Sequence, residues 1–346
     1  MVSAFPGARI GGGGRRAGAG GCARLTGLRH TLQGHAEVVP GRGNGAFAQV
    51  QAAHYPVAIG GYMHMAQVGG ETSRQKLFVT ELPTHAGTPQ LRWYDAASLH
   101  KVALDAPAHG LTVLIVPAFS EVHSRFAREA PAFEDMYMKP LVGWIAGVHL
   151  DDLGQAAPVV ANGQTLVFSH DKALAVHIPL PESIYPRIDI LNLFRPGGGD
   201  AIRFPSTGFS AQECFVNGQL VNLAQYLAQQ GIDTRLPLVA DYCGAMINVS
   251  IQALELEPGL VSFYAPVFAG VDYRFADAVE DYSARFLQAM PRDGGPILFG
   301  CNCILNYLYS QLQGRQTARL TGPITFGEVA YQLLNQTMVQ LTLSLR

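Results

Sequence analysis

Polar side chains interrupt an apolar segment near the C-terminus in a pattern that packing alone does not require. Glu328 is followed by Asn335, Gln336 and Thr337, all set among apolar residues. Buried carboxylates and amides need hydrogen-bond partners, which either the protein or a ligand must supply. We therefore predict that Glu328, Asn335 and Thr337 bind a polar ligand. The structural alternative for Glu328 is a turn cap or an ion pair with Arg319.

The last strand is predicted to carry these amides. Strand alternation would place Asn335 and Thr337 on one face and Gln336 on the other. The alternative to ligand binding is a purely structural group of hydrogen bonds that joins a sheet to a helix.

Four further residues are predicted to bind the ligand. Asn302 and Asn306 are four residues apart, so they face the same way if that segment is helical. Asp241 and Asn248 lie in an earlier apolar segment that contains a glycine. We expect these two residues to face Asn302 across a cleft.

Cysteine and histidine residues provide the candidates for other chemistry. Cys301 and Cys303 are two residues apart, which is not the C-x₂-C spacing of a zinc site, and we predict no metal. Either Cys243 or Cys301 would be the nucleophile if the protein is an enzyme. His64 and His149 lie in apolar settings and would be the axial ligands of a haem, although no cofactor is the main prediction.

Composition excludes several classes of partner. The net charge of −2 gives no basic excess for a phosphate backbone, so nucleic acid is not expected. No apolar run reaches the roughly eighteen residues needed to cross a bilayer, and the N-terminus lacks the apolar core of a signal peptide. We therefore predict a cytoplasmic protein without a membrane partner.

The elements that must position these side chains indicate an α/β fold. The run from Leu111 to Phe119 is almost continuously apolar, as for a strand buried on both faces, and Ser120 is placed to begin a helix. Gly231 is expected to end a later amphipathic helix. Residues 1–45 are rich in glycine, alanine and arginine and are predicted to be disordered.

The two halves of the chain show an internal similarity. The segment that begins at Ile115 resembles the one that begins at Tyr264, and each is predicted to run from a strand into a helix with an Arg-Phe-Ala core. The strand that begins at Pro140 likewise matches the one at Pro296. We predict an α/β fold made of two similar mixed-sheet halves, residues 46–196 and 200–346, with a ligand cleft between them.

The C-terminal residues also carry a family resemblance. The run ITFGEVAYQLLNQTMVQL, Ile324–Leu341, resembles the C-terminal signature of FIST domains, and LFGCNC, Leu298–Cys303, resembles the strand that precedes it. The segment LPLVADYCGAMINVSIQ, Leu236–Gln252, is similar to the middle of uncharacterised bacterial relatives of FIST proteins. The resemblance covers roughly Tyr55 to Arg346.

This resemblance implies a sensory module for a small ligand in signal transduction, with amino acids suggested as ligands and haem as an alternative. FIST domains usually accompany an output domain, for which this chain has no room. We therefore expect a separate signalling partner protein. An enzyme with a cysteine in the cleft and a protein-interaction scaffold remain the alternative functions.

Overall fold

The structure is a computed structural model. It describes residues 87–148, 153–165, 167–242, 244–290, 297–309, 311–312 and 322–345, together with the backbone of five short strands between residues 36 and 73. Most of the tail predicted over residues 1–45 lies outside the described residues, as do His64, His149 and Cys243.

Strands outnumber helices in this part of the chain. In order, the first strands are β1 (Ala36–Val38), β2 (Ala48–Val50), β3 (Ala58–Gly60), β4 (Met65–Val68), β5 (Glu71–Ser73), β6 (Gln90–Tyr94), β7 (Gly110–Pro117), β8 (Leu141–Ala146), β9 (Val160–Asn162), β10 (Val167–Ser169), β11 (Ala173–Pro179), β12 (Ile184–Leu191) and β13 (Ile202–Arg203). The remaining strands are β14 (Gly208–Ala211), β15 (Glu213–Val216), β16 (Gln219–Asn222), β17 (Leu238–Tyr242), β18 (Ala245–Val249), β19 (Ile251–Glu255), β20 (Leu260–Val267), β21 (Asp272–Phe275), β22 (Ile297–Cys303), β23 (Gly322–Thr325), β24 (Glu328–Ala330), β25 (Gln332–Leu334) and β26 (Met338–Leu345).

The α-helices are short. They are α1 (Glu121–Glu129), α2 (Leu223–Gln230), α3 (Tyr282–Ala289) and α4 (Ile304–Tyr309), and 3-10 turns cover Leu99–Lys101 and Ala130–Ala132. The mixed α/β class predicted from the sequence is confirmed.

Three six-stranded sheets organise the part of the chain that the structure describes. Sheet one has the order β25-β24-β8-β7-β11-β6, sheet two β12-β26-β22-β23-β4-β5, and sheet three β16-β15-β13-β21-β17-β18. Smaller sheets have the orders β1-β2, β10-β9-β3 and β14-β20-β19. Most neighbours are antiparallel, whereas β7 with β8 and β22 with β23 are parallel pairs.

Sheets one and two pack face to face, and helices cover their outer faces. The core on the outer face of sheet one joins Leu114 and Val116 of β7 to Phe126 of α1. A core between the sheets joins Leu111 of β7 to Leu341 of β26. This burial on both faces explains the unbroken apolar run of β7 and confirms that prediction.

Local capping follows the sequence signals. Ser120 precedes α1, and its hydroxyl accepts the backbone N–H of His123 at 3.1 Å. Gly231 ends α2 with φ 62°, a left-handed conformation that glycine adopts without steric cost. Both helix boundaries predicted from the sequence are confirmed.

The predicted second copy of the strand-to-helix unit is wrong in its secondary structure. In the first copy, Arg125 and Phe126 lie in α1, but the corresponding Arg274 and Phe275 lie in strand β21. Here β21 hydrogen-bonds to β13 and β17, so sheet pairing overrides the local pattern.

The two predicted halves contribute to the same sheets. In sheet one, β24 of the C-terminal half pairs with β8 of the N-terminal half, and in sheet two β26 pairs with β12. The internal duplication and the cleft between halves stay predictions.

Candidate functional site

A chain crossing between sheets one and two positions the carboxyl group of Glu328. Strand β23 pairs with β22 in sheet two, Cys303 opposite Thr325. After two residues the chain enters β24 in sheet one, where Glu328 lies opposite Trp144 of β8. Glu328 is thus the first strand residue after the crossing, and its side chain is completely buried.

The Glu328 carboxyl group links the two sheets by hydrogen bonds. Its Oε1 accepts the backbone N–H of Cys303 at 3.0 Å and the hydroxyl of Thr337 at 3.1 Å. Its Oε2 is buried without a partner among the described residues. Burial raises the pKa of this carboxyl well above its usual range, and the hydrogen bonds from Thr337 and the backbone only partly oppose that effect.

Two buried thiols lie close to this carboxyl. The Thr325 hydroxyl donates to the Gly327 carbonyl oxygen at 2.9 Å. Because its single proton is used there, the Cys301 thiol, whose Sγ lies 3.2 Å from Thr325 Oγ1, donates to that hydroxyl. Burial, and secondly the Glu328 carboxylate, raise the pKa of both Cys301 and Cys303. A thiolate is the nucleophilic form, so this environment disfavours Cys301 as an enzyme nucleophile.

Asn302 begins a hydrogen-bond chain on the helical side of sheet two. Its Oδ1 accepts the amide N–H of Asn306 at 2.7 Å, although Asn302 lies in β22 and Asn306 in α4. Asn306 in turn accepts the hydroxyl of Tyr282, the first residue of α3. Asn302 Nδ2 is buried and has no partner among the described residues.

The turn before β26 forms a second group of amides. Gln336 Nε2 donates to the Arg235 carbonyl at 2.9 Å, which directs its Oε1 toward the Ser250 hydroxyl at 2.6 Å. Asn335 Oδ1 lies 2.9 Å from the same hydroxyl. The Ser250 hydroxyl has one proton to donate and can accept a second hydrogen bond, so only one polar atom of the Asn335 amide can be paired with it. In either orientation of that amide, its other polar atom is buried without a described partner.

Asn248 connects this group to the chain between β12 and β13. Its amide exchanges hydrogen bonds with the amide of Asn192, at 3.0 and 3.1 Å. Its Nδ2 also lies 3.2 Å from the Asn335 carbonyl oxygen. Residues from β18 and the β12–β13 connection therefore meet the turn before β26.

The structure brings most of the predicted ligand-binding residues into one buried region. We call this region the polar network, and it comprises Asn192, Asn248, Ser250, Cys301, Asn302, Cys303, Asn306, Thr325, Glu328, Asn335, Gln336 and Thr337. Backbone bonding connects its parts, because the Cys303 N–H donates to the Thr337 carbonyl at 3.2 Å. Asp241 does not belong to it, since this residue is exposed and accepts the Gly244 N–H in a turn.

The strand predicted over Asn335–Thr337 is wrong. These residues lie between β25 and β26, and Gln336 has φ 51°, outside the strand region. The side chains consequently diverge, Thr337 toward Glu328 and Asn335 toward Ser250. Glu328 lies within a strand and does not cap a turn, while Arg319 lies outside the described residues.

Sequence reasoning missed Ser250, Asn192 and Tyr282, which are isolated polar residues far along the chain. It also missed a second buried polar chain. There, Thr112 lies 2.9 Å from His177 Nδ1, and His177 Nε2 lies 2.9 Å from the Tyr94 hydroxyl. Only the pairing of β6, β7 and β11 brings these residues together.

An open cleft with a volume of about 360 Å³ lies beside the polar network. Its lining residues are Leu193, Arg195, Asp277, Ala278, Val279, Glu280 and Arg285. Leu193 follows Asn192 in the chain, and Arg285 shares α3 with Tyr282. The cleft therefore adjoins both hydrogen-bonded branches of the network.

The site combines buried amides, a carboxyl group and thiols, and it is not a metal centre in its described part. Across the described residues, no group of three or more His, Cys, Asp or Glu side chains is arranged to hold a metal ion. None of the described helices is both long and apolar enough to cross a membrane.

Comparison with known proteins places the chain in a family. Residues 57–344 match the family of unknown function DUF6976, and the chain belongs to that family. No curated protein and no solved structure matches the chain.

Proposed function

We propose that this protein binds a small polar ligand at the polar network. The observation that carries the proposal is that Asn302, Glu328 and Asn335 each bury a polar side-chain atom without a described partner. Such atoms normally have partners in folded proteins, because leaving them unpaired costs about 1–3 kcal/mol each. A ligand that forms hydrogen bonds with the two amides and with the Glu328 carboxyl group would remove this cost.

The proposed ligand bridges segments that are distant in the sequence. It would contact β22, β24 and the turn before β26, which Asn248 connects to β18. In the predicted duplication, all of these belong to the C-terminal half. The FIST-like residues support a sensory role, with amino acids as the first ligands to test and a separate signalling protein as the receiver.

Native mass spectrometry of the freshly purified full chain tests this function. We expect a ligand of small mass that stays bound under gentle ionisation and is lost on unfolding. If the protein carries none, the same chain is screened by thermal denaturation with amino acids, because a ligand that binds only the folded state raises the melting temperature.

A substitution at Asn302 links the result to the site. Asn302→Asp keeps the Oδ1 atom that accepts from Asn306 and removes the unpartnered amide nitrogen. We expect it to lose the retained ligand or the ligand-induced rise in melting temperature. The exposed Gln219→Glu, which likewise replaces an amide with a carboxylate, serves as the control. Equal binding by both variants, or a chain with no ligand in either assay, would overturn the proposal.

A further inference from the structure

The cleft beside the polar network has a lining with charges of both signs. Arg195 and Arg285 provide two guanidinium groups, and Asp277 and Glu280 provide two carboxylates. All four side chains are exposed to solvent. The volume of about 360 Å³ is in the range of small-molecule sites.

These charges do not neutralise one another. Among the described residues, none of the four takes part in an ion pair within 4.0 Å. Within the described part of the chain, Arg195 donates only to backbone carbonyl oxygens, those of Asn192 and Phe194, at 2.9 and 2.7 Å. Its guanidinium is therefore held in place while its charge is left uncompensated.

The wall behind the charges is rigidly connected to the buried network. Tyr282 lies three residues before Arg285 on α3, packs against Phe194 with ring centroids 5.6 Å apart, and donates its hydroxyl to Asn306. The segments that carry Arg195 and Arg285 are consequently packed against each other. A preorganised arrangement of this kind lowers the entropic cost of binding.

We propose that this cleft binds a small zwitterion, with its anionic group toward Arg195 and Arg285 and its cationic group toward Asp277 and Glu280. Opposite charges that line one cleft without pairing match a ligand that carries both signs. This goes beyond the function proposed above, because the cleft shares no lining residue with the polar network.

Titration of the full chain with glycylglycine, followed by amide chemical shifts, tests the proposal. N-acetylglycylglycine lacks the ammonium group, and glycylglycinamide lacks the carboxylate. We expect saturable binding of glycylglycine with shifts at the cleft, and binding of each analogue weaker by about tenfold or more, since each loses one charge-assisted interaction.

Two variants assign the charges to their partners. Arg285→Gln should reduce the preference for glycylglycine over glycylglycinamide, because Arg195 alone then faces the carboxylate. Glu280→Gln should likewise reduce the preference for glycylglycine over N-acetylglycylglycine, because only Asp277 then faces the ammonium group. Arg203→Gln is the control, because Arg203 pairs with Asp272 on sheet three. Absence of saturable binding, equal affinities for the three probes, or unchanged preferences in both cleft variants would overturn the proposal. If Asn302→Asp loses the ligand of the polar network but keeps the preference for glycylglycine over its two analogues, the polar network and the cleft are two independent sites.

Discussion

Glu328 of sheet one accepts the backbone N–H of Cys303 of sheet two at 3.0 Å. This hydrogen bond joins the two sheets at the place where the chain passes from one to the other. The carboxyl group that makes it is fully buried, and its second oxygen has no partner among the described residues. The bond therefore lies at the centre of the proposed binding region.

The first prediction concerns the charge of Glu328. Its folded-state pKa is raised above the ordinary value of 4.5, so between these two values the folded protein binds more protons than the unfolded chain. The unfolding free energy should fall as the pH rises from about 4.5 through this window. Glu328→Gln, which cannot ionise, should escape this loss, so its stability relative to the native protein should increase with pH.

Urea unfolding at about pH 5 and about pH 8 measures that difference. The exposed Glu182→Gln variant is the control and should follow the native protein at both values. A stability difference for Glu328→Gln that is the same at both pH values would show that the buried carboxyl does not titrate as predicted.

The second prediction concerns thiol reactivity. Cys301 and Cys303 are buried, and burial raises the pKa of both thiols. We expect the peptide that contains them to resist N-ethylmaleimide in the folded protein at neutral pH and to be labelled after unfolding. Peptide mass spectrometry reads this site separately from the other cysteines. Rapid labelling of Cys301 in the folded state would instead favour the enzyme alternative.

The third prediction concerns Ser250, whose hydroxyl lies within 2.9 Å of both Asn335 and Gln336 side-chain oxygens. Ser250→Ala leaves these buried amide groups with fewer partners and should lower the unfolding free energy by about 1–3 kcal/mol. Chemical denaturation gives the value. The exposed Ser206→Ala should change stability by less than about 0.5 kcal/mol. Equal effects of the two substitutions would contradict a structural role for this hydroxyl.

The fourth prediction tests the close pairing of β7 and β8. A Cβ atom added to Gly143 would lie 1.7 Å from the Leu114 carbonyl oxygen, so the parallel strands would have to separate. Gly143→Ala should lower the unfolding free energy by about 3 kcal/mol or more. Gly198→Ala, where a Cβ meets no atom within 4 Å, is the control. A folded Gly143→Ala protein of native stability would refute this strand pairing.

Local patterns in the sequence predicted the elements that local interactions determine. Ser120 and Gly231 marked helix ends because capping involves residues a few positions apart. The four-residue spacing of Asn302 and Asn306 predicted a shared direction only on a helix, and Asn302 lies in a strand. Their side chains meet because α4 begins directly after Cys303.

Long-range pairing explains what could not be predicted. Arg274 and Phe275 carry a helix-like pattern but are held in β21 by β13 and β17. Gln336 adopts a positive φ, which no propensity of glutamine indicates. Ser250 meets Asn335 across 85 positions of the chain, so no spacing in the sequence points to that contact.

The crossing between the sheets also determines the order in which the molecule can fold. Residues 322–345 supply β24 and β25 to sheet one and β23 and β26 to sheet two, and they pair with strands as distant as β8 and β12. During synthesis, neither of these sheets can be completed until this segment has left the ribosome. Folding by such late, long-range contacts is slow, and the apolar face of β7 that packs against sheet two stays uncovered in the meantime.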